Sequence, residues 1–223
     1  MAILKVFTNK NDGNLAFHVG DKILNVEKNR EKLKNKYSFS MENLRYMNQV
    51  HKDSIKIVNK NSGFLIDECD ALITNEKNLP IMVMVADCIP ILLYDEKRKV
   101  IAAIHAGRNS TFLNIASKTA LKMIKKFNCE AKDIKAILGP SIQKCCYEVS
   151  EELINIVKTS FSKQFVNNRN IDLQGINKMQ LNNVGIKDIK ISDYCTKCCG
   201  DDYFSYRKSK KTGRFAGIIE LKD

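Results

Sequence analysis

Long apolar runs are missing from this chain. No stretch approaches the roughly 20 residues that span a bilayer, so the sequence offers no transmembrane helix and no membrane partner. The opening residues, MAILKVFTNKNDG, lack the apolar core and cleavage site of a secretory leader. The expectation is a cytoplasmic protein. Arginine is scarce: of 37 basic residues only seven are arginine, and the lysines behind the net charge of +12 are scattered. No nucleic-acid-reading motif accompanies them, so the charge reads as a solvated lysine-rich surface with no specific nucleic-acid partner. There is no internal repeat, no linker and no low-complexity tract. Histidine is scarcer still, with three: His18, His51 and His105.

Cysteine, in contrast, is plentiful. Eight cysteines in a chain of 223 residues without an export signal, including the adjacent pairs Cys145-Cys146 and Cys198-Cys199, argue for reduced thiols or metal ligands rather than disulfides. Cys195 and Cys198 form a CxxC, a weak signal alone; together with Cys145 and Cys146 it offers a second, structural zinc site beside the alternative of buried free thiols.

The pattern reads as mixed α/β, in one domain over residues 1–223. A surface helix is expected over Asp21–Tyr37. Strands are expected in LRYMNQVH, ending at His51, and in SIKIV, FLIDECDALITN and LPIMVMVADC. An amphipathic helix is expected in TFLNIASKTALKMIKKF, capped by Asn109 or Ser110. IKAILG is a strand, Ser150 caps EELINIVKTSF, and INKMQLNNVG is a helix ended by Gly185. IKDIKI is a further strand. YFSYRKSKKTGRFAGIIEL reads as a terminal hairpin with Gly213 in its turn.

Between them, VADCIPILLYDEKRKVIAAIHAG reads as two strands joined by a polar turn. If Tyr94 faces Lys99, the same register sets Cys88 directly across from His105, with Cβ atoms roughly 4.5–5.5 Å apart. Pro90 implies an irregular or edge position. A thiol opposite an imidazole suits two ligands of one metal, or a nucleophile and its base. His18, in an irregular polar stretch, and His51 are the remaining imidazoles. A set of His51, Cys88 and His105 would be a catalytic zinc site with an open fourth position. Gly107 allows backbone N–H groups close to a ligand, beside a helix N-terminus that suits an anion, and Arg108 adds a charged fork. Asp87 reads either as a base or histidine-orienting group, or as a turn-closing hydrogen-bond acceptor.

NQVH, DALIT, VADCIPILLYD, AAIHAG, LGPSIQKCCYEV and YCTKC followed by YFSYRKSKKTGRFAGII occur in one order. Together they resemble the bacterial laccase-domain, or polyphenol oxidase, family, understood as purine nucleoside phosphorylases with adenosine deaminase activity. The resemblance runs from about Val19 to Leu221. It implies a single layered, mixed-sheet α/β domain of the laccase-domain (cytotoxic-necrotizing-factor-like) type. From the residues themselves, Cys88, Asp87 and Arg108 are the candidates for the catalytic machinery and Gly107, Arg108 and Asn109 for the surroundings of phosphate and substrate; the resemblance implies a zinc held by His51, Cys88 and His105. It implies phosphorolysis of adenosine, inosine and methylthioadenosine, so that nucleosides and phosphate are the partners. Arg207 and Arg214 match the family's C-terminal motif. The chain departs from the family at AGRNS, where Arg108 replaces the usual Trp and Asn109 the usual Arg. The N-terminal loop is also shorter. Both departures bear on substrate preference more than on the metal.

Counting tests the oxidase label. A type-1 copper plus a separate histidine-rich cluster needs more than three histidines, so multicopper chemistry is excluded. A single copper on His51, Cys88 and His105 is the redox alternative. A cysteine hydrolase with a Cys88–His105 dyad is the other, and His51 discriminates, because a dyad does not need it.

Overall fold

The computed structural model describes residues 2–223. The apolar runs become β1 (Ile3–Phe7), β2 (Arg45–Met47), β3 (Ile55–Ile57), β4 (Leu65–Ile66), β5 (Ala71–Thr74), β6 (Ile81–Val85), β7 (Ile89–Asp95), β8 (Val100–Ala106) and β9 (Ile134–Leu138). Later in the chain come β10 (Val166–Asn167), β11 (Asn170–Ile171), β12 (Asp188–Ile191) and β13 (Phe215–Leu221). The α-helices are α1 (Ile23–Tyr37), α2 (Arg108–Phe112), α3 (Ile115–Phe127), α4 (Glu151–Ser160) and α5 (Leu173–Val184).

Two mixed sheets carry the mixed α/β architecture. One runs β1-β13-β6-β2-β4 and the other β12-β9-β7-β8-β5-β3. Alternation along β13 shows how they stack. Phe215, Ile219 and Leu221 join Val83, Leu92 and Ala103 in a core between the sheets. Ala216 and Ile218 face the other way, onto Leu15 and onto Leu33 of α1. Residues of β7 and β8 with the opposite parity, such as Ile91 and Ile104, pack against Ile115, Ala116, Ala120 and Met123 of α3. The order of layers is therefore α1, sheet, sheet, helices. Strands buried on both faces explain why Ile81–Val85 and Ile89–Asp95 are almost uninterrupted apolar runs.

Several expectations are corrected. In the β7–β8 hairpin Asp95, not Tyr94, closes the ladder, paired with Val100. The Asp95 carboxylate accepts from the N–H groups of Lys97 and Arg98, which fixes a four-residue loop with Lys99 at φ 57°. Pro90 therefore faces His105, and Cys88 lies diagonal to it. A slip of two residues keeps every side chain on its face. Pro90 is not on an edge, since β7 lies between β8 and β9. It is tolerated because it is the second residue of its strand, where its carbonyl accepts from Gly139 N–H just past the end of β9.

The expected helix after Gly107 is two helices. Asn114 takes the left-handed conformation (φ 63°) and separates α2 from α3. Gly107, not Asn109 or Ser110, occupies the N-cap position. The break is held from α5: the Asn177 amide donates to Thr111 Oγ1 and the Gln180 amide to the Thr111 carbonyl. Ser150 caps α4 by position only, without a side-chain bond. α5 starts earlier than read, capped by Asp172, whose carboxylate accepts from Gly175 N–H. His51 does not end a strand, because β2 stops at Met47. The terminal hairpin is absent among the described residues. β13 pairs with β1 and β6 instead, and the preceding segment commits its N–H groups elsewhere, Arg214 to Asn14 Oδ1 and Arg207 to Asp87 Oδ2.

Candidate functional site

The site starts from a buried carboxylate. Asp70, immediately before β5, has no exposed surface. Its Oδ1 accepts from His51 N–H at 2.9 Å and faces His105 Nδ1 at 2.7 Å. Its Oδ2 accepts from Lys52 N–H at 2.8 Å and Val50 N–H at 3.3 Å. Three successive N–H groups converge on one carboxylate because His51 adopts φ 58°. Burial alone would raise the Asp70 pKa, but the bonds from His105, Lys52 and His51 outweigh it and hold the group below its ordinary value. An ionised carboxylate only accepts, so His105 carries a proton on Nδ1 whether the ring is neutral or charged, and Nε2 is the nitrogen that faces the cleft.

Cys88 follows from the turn before β7. Asp87 takes φ 84°, which a non-glycine residue adopts only when its surroundings fix it. They do: Oδ1 accepts from Thr196 Oγ1 at 2.7 Å and Oδ2 from Arg207 N–H at 2.6 Å, while the carbonyl accepts from Ile142 N–H. Both carboxylate oxygens of Asp87 are thus engaged in holding the loop that aims Cys88.

The ligand atoms of His51, Cys88 and His105 lie within 4.8 Å of one another. The imidazoles meet edge to face, centroids 4.6 Å apart. Gly107 makes this approach possible: a Cβ there would sit 3.1 Å from Cys88 Sγ and 3.1 Å from His51 Cδ2. Burial would push the Cys88 thiol up, yet the charges and hydrogen bonds of His105 and His51 bring it down to about 6. Burial would likewise lower His105, and Cys88 with Asp70 raises it to about 9. The pair is poised as thiolate and imidazolium, a donor set ready for a cation that displaces the proton. Two imidazole nitrogens and a thiolate, with one face open to the cleft, suit a tetrahedral zinc with a free position.

The three residues form the floor of a cleft of about 910 Å³. Arg30, Arg108, Arg207 and Arg214 line it, four of the seven arginines in the chain. That concentration suits an anionic ligand. The Arg108 guanidinium is steered by Asn109 Oδ1, at 3.1 Å from Nε and 3.0 Å from Nη2. Arg207 lies 4.8 Å over the Tyr147 ring, and Arg30 lies between Phe17 and Tyr46. Gly107 and Asn109 flank this cation as read from the sequence, but α2 is only five residues long, and the anion argument passes from a helix end to arginine side chains. His18 lines the cleft without joining the three-ligand cluster. Sequence reasoning missed Asp70, although it opens the quoted DALIT, and it missed Arg30 and Tyr147.

The family described as multi-copper polyphenol oxidoreductase laccase matches residues 7–222. A protein of Campylobacter jejuni named purine nucleoside phosphorylase Cj1217c is 34% identical, over 96% of this chain and 95% of its own length. Purine nucleoside phosphorylase CA_C1699 of Clostridium acetobutylicum is 34% identical over 88% of this chain and 85% of its own. Among solved structures, the Bacillus licheniformis hypothetical protein YfiH has a TM-score of 0.94 at 28% identity, covering 99% of this chain and 93% of that one. YlmD from Geobacillus stearothermophilus has a TM-score of 0.92 at 25% identity, covering 99% and 92%.

Proposed function

Because the chain belongs to the multi-copper polyphenol oxidoreductase laccase family, we propose that it is a zinc-dependent purine nucleoside phosphorylase. Its substrates are adenosine, inosine and methylthioadenosine with phosphate, and it deaminates adenosine as a second activity. The names of the relatives suggest the reaction class. The observation that carries the reading is the convergence of His51, Cys88 and His105 on the floor of a cleft that gathers four arginines. The floor fits a divalent cation, and the walls fit an anion.

His51, Cys88 and His105 hold the zinc, and Asp70 fixes His105 in the tautomer that binds it. When bound, the ion supplies Lewis-acid polarisation. Arg108, braced by Asn109 and next to Gly107, binds the phosphate as a charged fork. An oxygen of hydrogen phosphate attacks C1′ of the ribose, the bond from C1′ to the purine nitrogen breaks, and the base leaves with the proton that the phosphate gives up. Asp87 acts as a positioning residue, because Thr196 and Arg207 N–H occupy its oxygens. Cys88 serves as a ligand rather than as a nucleophile.

The decisive experiment is product analysis of the metal-loaded protein with adenosine, with and without phosphate. Adenine and ribose 1-phosphate are expected only with phosphate, and some inosine from hydrolytic deamination is expected with or without it. A chelator removes the activity and zinc restores it. Adenosine and inosine left untouched with phosphate present would overturn the function. The low pKa of Cys88 beside His105 favours a second reading, a cysteine hydrolase. That reading requires chelator-resistant activity lost on thiol alkylation, with His51→Ala still active. A full equivalent of copper and no zinc would instead indicate the single-copper alternative.

A further inference from the structure

A second cluster lies beside the cleft. Cys145 and Cys146 sit on the loop after Ser141, and Cys195 and Cys198 on the loop after β12. All four sulfurs fall within 4.8 Å of one another. All four cysteines are free. Cys145 Sγ and Cys198 Sγ are 3.5 Å apart, far from the ~2.05 Å of a bonded disulfide. Four thiolates around one ion with Zn–S bonds of about 2.3 Å would stand about 3.8 Å apart along each tetrahedral edge. The backbone is arranged for the same end. Cys199 N–H closes the CxxC turn onto the Cys195 carbonyl at 3.0 Å. The two loops already lie side by side, with Thr196 N–H donating to the Ser141 carbonyl and Gln143 Nε2 to that of Ser192.

We propose that Cys145, Cys146, Cys195 and Cys198 bind a second zinc ion as a closed, structural tetrathiolate site. The four thiols give up their protons on binding, leaving a site of net charge −2 with Lys144 and Lys197 adjoining its ligands in sequence. No position remains for water or substrate, which separates this site from the floor of the cleft. Its role is mechanical. Tyr147, which follows Cys146, lines the cleft, and Thr196, which follows Cys195, holds Asp87. The ion fastens together the two loops that carry them. The proposal is independent of the reaction assigned to the cleft.

The test is metal content and spectroscopy of protein purified under reducing conditions without added chelator. The wild type is expected to hold two zinc equivalents per chain. The double variant His51→Ala with His105→Ala keeps one, and Cys145→Ser with Cys198→Ser, both at exposed positions, loses one. Cobalt loaded into the His51→Ala, His105→Ala protein gives the intense sulfur-to-metal charge-transfer bands of a tetrathiolate, and these are lost when Cys145 and Cys198 are also replaced. If the cysteine variants do not fold, the cobalt spectrum decides alone. One zinc per wild-type chain with four freely titrating thiols would overturn the proposal. So would disulfides in the native protein, or iron with acid-labile sulfide.

Discussion

At Asp70, four donors converge on the two oxygens of a fully buried carboxylate. An amide of the same size there would present an NH₂ to His105 Nδ1 or abandon an N–H of the His51 loop. The first choice drives the histidine proton to Nε2 and blocks the ligand atom. Asp70→Asn is therefore expected to weaken metal binding or activity by about 10–100-fold, measured as zinc retained against a competing chelator. Gly107 is the complementary case. Its φ is ordinary, −73°, so Gly107→Ala adds no backbone strain, only a methyl group against Cys88 and His51. Displaced ligands are expected to cost about 10–100-fold in turnover while the thermal midpoint stays near that of the wild type. A wild-type rate would show that the ligands adjust. The sequence displayed Cys88 and His105 because they flank one hairpin. Asp70 was not legible in this way, since a carboxylate acquires its role only when distant N–H groups close on it.

Elements were easier to read than their ends. The β7–β8 hairpin was visible as two apolar runs, but its register depended on one side chain, Asp95, folding back on the loop. The slip was two residues, which left Cys88 and His105 on one face; a slip of one would have separated them. α2 and α3 read as a single helix because the break at Asn114 is secured by α5, from more than sixty residues away. β1 drew no attention in the sequence, being short and followed by polar residues. At the far end of β13, Glu220 points away from the inter-sheet core and is almost fully buried. Burial pushes its carboxyl above the ordinary value, and Lys222 offsets this in part. A raised acid binds its proton more tightly folded than unfolded, so the stability it contributes is present at low pH. That contribution is lost as pH rises from the ordinary glutamate range, about 4.3, through the folded value. Glu220→Gln removes this titration. Its thermal midpoint, relative to wild type, is expected to rise between pH 4 and pH 8, and a constant difference would contradict the assignment.

In the whole molecule, the sequence shows the lysines as scattered, but it does not show where the few arginines come together. Four of seven reach one cleft from α1, from the start of α2 and from the segment before β13, a gathering that only the layered fold produces. The last strand is the one that binds the layers. β13 is hydrogen-bonded to β1 on one side and β6 on the other, and its Phe215, Ile219 and Leu221 reach the core shared by both sheets. A chain stopped before Phe215 would leave two flanking strands with open edges, and it is expected to accumulate as insoluble aggregate rather than as a loosened enzyme. Soluble, folded material from such a truncation would count against this.

The same arrangement sets a timetable for synthesis. β1 leaves the ribosome before the strand it pairs with, which follows more than 200 residues later. At about 5–20 residues per second, it waits about 10–40 s as an unpaired apolar segment. During that interval the nascent chain depends on whatever shields exposed strands in the cell. A slower ribosome lengthens that exposure without altering a single contact of the finished core.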